Sequence, residues 1–114
     1  MSRQLDKAIA EALGYEVKKS EAGFYWVLQD GQVGQGNSLP FVSADGEAML
    51  WLEEKMRERG WMIDEMFCSK PAVKYYWYAK YSGETEGSAE AETEPLARAL
   101  AAYKALTGKD WEDV

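Results

Sequence analysis

The sequence predicts an α+β domain: an antiparallel sheet of about five strands covered by three helices, in the order αββαβββα. Three observations carry this reading. Apolar residues recur at helical spacing in three stretches, and Gly14, Gly60 and Gly108 close them. Between them lie aromatic and β-branched runs that alternate with polar residues, above all residues 73–81. Short connections join neighbouring strands, which favours antiparallel hairpins with helices laid over the sheet.

The first helix is expected to be capped by Ser2, with Leu5, Ile9, Ala12 and Leu13 on one face and Gly14 as its left-handed stop. Tyr15, Val17 and Lys19 alternate as in a short strand, and Glu21-Ala22-Gly23 turns the chain. Residues 24–29 then read as a second strand, completing a hairpin. Residues 30–40 read as a loop, because Gly31, Gly34, Gly36, Asn37, Ser38 and Pro40 are turn formers. Ser43 is the expected cap of the central helix, with Asp45 and Glu47 favoured in its first turn by the helix dipole. Ala48, Met49, Trp51, Leu52 and Met56 project to one side, and Glu53, Glu54, Arg57 and Glu58 to the other. Leu50 falls among the polar residues, as a dimer contact or as an ordinary exposed leucine.

Residues 61–68 alternate imperfectly: Trp61, Ile63 and Phe67 stand against Met62, Asp64 and Met66, and Glu65 interrupts the first set. The next strand places Val73, Tyr75, Trp77, Ala79 and Tyr81 on one face and Lys74, Tyr76, Tyr78 and Lys80 on the other. Aromatic residues on both faces predict that helices cover both sides of the sheet. Residues 88–93 form a weaker strand, with Glu90 and Glu92 on one face. The last helix opens at Thr93 or Glu94 with Pro95 in its first turn, and buries Leu96, Ala99, Leu100, Tyr103 and Leu106. One domain, 1–108, is expected, followed by a tail, 109–114, whose Trp111 can dock back.

Composition narrows the function. A chain of 114 residues with 46% apolar residues, five Trp and seven Tyr can bury a core without staples. It has no histidine, which removes the commonest general base, the Ser-His and Cys-His nucleophile pairs and most zinc sites. The expectation is a protein with no catalytic residues, no metal and no cofactor. The single cysteine, Cys68, excludes an internal disulfide and suits a reducing compartment. No apolar run approaches a membrane span, and the first residues lack a signal-peptide core, so the cytoplasm is the expected location. A net charge of −7 opposes direct binding to nucleic acid or anionic membranes, permits basic protein partners, and also serves solubility.

Several surfaces are candidates. Lys74, Tyr76, Tyr78 and Lys80 can stack a base or clamp an anion, or their tyrosines can pack under a helix while the lysines pair with Glu90 and Glu92. The Gly-rich segment 31–38, with Asn37 and Ser38, lies between a strand and a helix, where backbone amides can hold a phosphate. It lacks the Gly-Lys-Ser/Thr ending of a P-loop and also reads as a plain loop. Glu84, Glu86, Glu90, Glu92 and Glu94 form an acidic edge that can enter a partner's basic groove or simply guard a strand edge. Cys68 beside Lys70 reads as a half-buried structural thiol, since no histidine assists it.

Four stretches, residues 5–14, 39–43, 56–61 and 94–100, together resemble the phage ABA-sandwich domain family: Leu5-Asp6-Lys7-Ala8-Ile9, Leu39-Pro40-Phe41-Val42-Ser43, Met56-Arg57-Glu58-Arg59-Gly60-Trp61 and Glu94-Pro95-Leu96-Ala97-Arg98 are the matching runs. The resemblance implies a helix–sheet–helix sandwich encoded by a bacteriophage or prophage, and it implies no activity. The expected role is a non-enzymatic accessory protein that binds and inhibits or redirects a host protein, such as a defence-system component. A module that sequesters a nucleotide-like ligand and a minor structural or assembly protein are the alternatives, and a homodimer is left open.

Overall fold

Three helices follow from the three apolar stripes. In the computed structural model, which describes residues 3–19, 21, 25–28, 36–69 and 76–111, they are α1 (Arg3–Ala12), α2 (Gly46–Glu58) and α3 (Glu94–Thr107). Leu5, Ile9 and Leu13 from the first stripe are buried, as are Ala48, Leu52 and Met56 from the second. Each helix stops where a glycine takes a positive φ: Gly14 at 98°, Gly60 at 94° and Gly108 at 73°. Thr93 caps α3, its hydroxyl accepting from the Leu96 N–H at 3.4 Å. The cap of α2 is Asp45, not Ser43: its carboxylate accepts from the Glu47 N–H at 3.3 Å. Ser43 is buried instead, and its own N–H donates to Asp6 Oδ1 at 2.9 Å. Ser2, the expected cap of α1, lies outside the described residues.

The strands divide into two antiparallel sheets. β1 (Glu16–Lys19), β2 (Tyr25–Leu28) and β3 (Gly36–Ser38) form the first in that order. β4 (Met62–Ser69), β5 (Tyr76–Ser82) and β6 (Glu86–Ala91) form the second. The α+β class with three helices therefore holds, but the single sheet of about five strands does not form. Part of the expected loop 30–40 becomes β3, pairing Asn37 with Val27 and Ser38 with Trp26. Gly-Asn-Ser carries none of the β-branched signal by which a strand is recognised, so pairing, not propensity, makes it one.

α3 is the centre of the molecule. It packs on β5 and β6, and α1 and α2 pack on it in turn. Its buried residues are all alanines, Ala97, Ala99, Ala101, Ala102 and Ala105, spread around the helix. Small side chains let three layers approach closely. The closest approach is at Gly87, where a Cβ would collide with the backbone of Ala101 and Ala105. Trp77, Ala79 and Tyr81 of β5 point at this helix layer, with Ala79 and Tyr81 fully buried. α1 also rests on β1, where Ala10, Val17 and Leu39 make a second small cluster.

The helix–sheet–helix arrangement is thus not what the described residues show. All three helices share one core, on one face of the second sheet. Among the described residues no helix covers its other face. The aromatics on both faces of β5 have separate causes: Trp77 and Tyr81 belong to the core, whereas Tyr76 and Tyr78 belong to an open surface.

Candidate functional site

The open face is built by a break in the alternation of β4. Ile63 pairs with Tyr81 and Glu65 with Lys80, so Asp64 is an extra residue in a β-bulge. The bulge shifts every later side chain by one position. Ile63 and Met66 stay with the helix layer, while Phe67 turns outward to lie opposite Tyr78. Glu65, which interrupts the sequence pattern, is the trace of this bulge. Sequence reasoning grouped Phe67 with Ile63 and so missed it as a surface residue.

Phe67 and Tyr78 stack, with ring centroids 4.8 Å apart and planes at 22°. Phe67 remains 51% exposed and Tyr76 39%, so one end of this face presents aromatic area to solvent; Met62, 62% exposed, lies at the other end opposite Ser82, beyond Glu65 and Lys80. Lys80 lies beside the aromatic area, its ammonium 3.5 Å from Asp64, 3.7 Å from Glu86 and 3.9 Å from Glu65. The Glu86 charge raises the Lys80 pKa most; partial burial opposes it, and Asp64 and Glu65 add to it. The Ser82 hydroxyl donates to Asp64 at 3.2 Å and fixes that carboxylate. Glu90, exposed, stands opposite Tyr78 on β6. The lysine that an anion clamp needs is therefore held by carboxylates from both neighbouring strands, and these are not the partners, Glu90 and Glu92, that the sequence suggested.

The other candidates fall elsewhere. Lys74 and residues 31–35 of the Gly-rich segment lie outside the described residues. Asn37 and Ser38 sit on β3 in the other sheet, and Ser38 is exposed. The acidic edge is split: Glu86 pairs with Lys80, and Glu94 pairs with Arg98 at 3.0 Å in the first turn of α3. Glu84, Glu90 and Glu92 are exposed, with Glu90 on β6, an edge strand of its sheet. Cys68 is exposed rather than half-buried, because it lies near the end of β4 opposite Trp77. Leu50 is 59% exposed on α2. Trp111 returns to α3, meeting Tyr103 edge to face at 5.2 Å.

Two polar arrangements in the core are structural. Arg98 bridges Glu94 and Glu53, the latter at 3.2 Å, which ties α3 to α2. The neighbouring Tyr81 hydroxyl is buried without a hydrogen-bond partner among the described residues, and burial raises its pKa, with the Arg98 charge opposing. Near the other end, Asp6 is 1% exposed and accepts from Ser43 N–H and from Arg3 Nη1, both at 2.9 Å. Arg3 also donates to the Leu39 and Pro40 carbonyls, and its guanidinium lies 3.7 Å from the Phe41 ring centroid. These contacts clamp α1 to the segment that leads into α2.

Among the described residues no group of three or more Cys, Asp or Glu is placed to hold a metal ion, and no helix is long and apolar enough to cross a membrane. Comparison with protein-family models, with curated proteins and with solved structures gives no match for this chain. The face offers flat aromatic area at Phe67, Tyr76 and Tyr78 with a carboxylate-rich surround.

Proposed function

We propose that this is a small non-enzymatic accessory protein, phage-encoded, that binds a host protein in the bacterial cytoplasm and inhibits or redirects it. Its docking face is the outer side of β4, β5 and β6. The observation that carries this reading is the stacked, half-open Phe67–Tyr78 pair with exposed Tyr76 next along β5. Natural monomers rarely leave contiguous aromatic area on a sheet face without a use for it, and aromatic residues dominate binding hot spots. The phage origin rests on the sequence resemblance. The absence of histidine supports the non-enzymatic part of the reading.

Immobilised protein should capture a bacterial protein from lysate, and the Phe67→Ala/Tyr76→Ala double variant should lose it while Leu50→Ala retains it. Equal capture by all three would remove this face from the account.

A further inference from the structure

The charge around the aromatic face specifies what it receives. Among the described residues, Asp64, Glu65 and Glu86 converge on Lys80, and Glu90 adds a fourth carboxylate opposite Tyr78. Among the described residues of this face one ammonium stands against four carboxylates, in a chain whose net charge is already −7. A polyanion or a phosphate ligand would meet repulsion there. A cation would find aromatic faces to stack on and carboxylates to pair with at the same spot.

Resting on the docking reading above, we infer that the outer face of β4, β5 and β6 receives an arginine-bearing segment of a protein partner. The planar guanidinium is the cation that fits both halves of the site. It can lie flat on Phe67, Tyr76 or Tyr78 and direct its N–H fork at the Glu90 or Glu65 carboxylate, whereas a lysine ammonium is a strongly hydrated point charge. Described residues of the chain use the same pairing: Arg3 lies over Phe41 at 3.7 Å and Arg59 over Tyr15 at 5.5 Å. Lys80, already neutralised by its three neighbours, spaces the carboxylates without competing for the aromatic rings.

The test uses the full chain, labelled with ¹⁵N, titrated with a capped Arg-Gly-Arg-Gly-Arg peptide and with its lysine and glutamate counterparts. The arginine peptide should shift amide signals at Phe67, Tyr76, Tyr78 and Glu90, the lysine peptide less, and the glutamate peptide not at all. Glu90→Lys should weaken the arginine response about fivefold, the scale on which one exposed charge pair becomes a repulsion. Glu90 is exposed, so this variant folds and its spectrum outside the face serves as the control. Equal responses to the arginine and glutamate peptides, equal responses to arginine and lysine, or no shifts on this face overturn the inference. Those results would leave the capture experiment standing, because a partner lost with Phe67→Ala/Tyr76→Ala but indifferent to Glu90→Lys docks on the same face through apolar contacts alone.

Discussion

Phe67 of β4 stacks on Tyr78 of β5 at 4.8 Å, on the side of the sheet turned away from α3. The pair is cross-strand and half-open, so its stability contribution is modest. Phe67→Ala should cost about 1 kcal/mol or less in urea unfolding. A double-mutant cycle with Tyr78→Ala should give a coupling of ~0.5–1 kcal/mol. A cost near that of a core phenylalanine would mean that the face is covered in solution.

Gly87 stands against the α3 backbone with no room for a Cβ. The obstruction is backbone, which no rotamer change relieves, so Gly87→Ala must push α3 off β6. We expect a loss of about 3 kcal/mol in denaturant unfolding, with weaker near-ultraviolet dichroism from the core aromatics. Gly83→Ala is a useful contrast: a Cβ there also meets the Trp61 ring, part of which can rotate away, though the Gly60 carbonyl cannot.

Asp6 is a buried carboxylate satisfied by Arg3 and the Ser43 N–H. Asp6→Ala would leave that N–H without its acceptor and Arg3 without its carboxylate, holding only the Leu39 and Pro40 carbonyls and the Phe41 ring among the contacts described above. The expected loss is about 3 kcal/mol. Asp6→Asn keeps an oxygen for Ser43 and should lose roughly half as much. Hydrogen exchange at Ser43 should accelerate far more in the alanine variant than in the asparagine one.

Tyr81 gives a pH signature. Burial raises its pKa above the ordinary phenol value of about 10, so the folded state holds the proton more tightly than the unfolded chain. The corresponding stability is fully present below about pH 10 and is lost as pH rises beyond it, by up to about 1.4 kcal/mol per pH unit. Its hydroxyl has no hydrogen-bond partner among the described residues, so Tyr81→Phe should be near neutral at pH 7. Above pH 10 the phenylalanine variant should become the more stable of the two. Phenolate absorbance at rising pH, measured on both proteins, checks this: one tyrosine of the wild type should ionise only as the fold is lost.

The helices were legible because their signals are local. Glycines mark each stop, and the apolar stripes of α1 and α2 place Leu5, Ile9, Leu52 and Met56 in the core. The alternation of β5 likewise assigned Trp77, Ala79 and Tyr81 to one face and Tyr76, Tyr78 and Lys80 to the other. What failed depends on pairing between distant segments. Whether strands join one sheet or two is decided by partners, not by propensity, and β3 has no strand-like composition at all. Ser43 and Asp45 are both good caps by residue type; in the fold Ser43 is buried with its N–H on Asp6, and Asp45 takes the cap. The bulge at Asp64 moved Phe67 to the open face, so half of the candidate site could not be assembled from periodicity.

The proposed docking face is tested most directly by photo-crosslinking in bacterial cells. A benzophenone amino acid is placed at position 67 in one variant and at position 50 in another, since both sites are exposed. The account predicts a discrete crosslinked host protein from position 67 and none from position 50. The same adduct from position 50, with none from position 67, would contradict it.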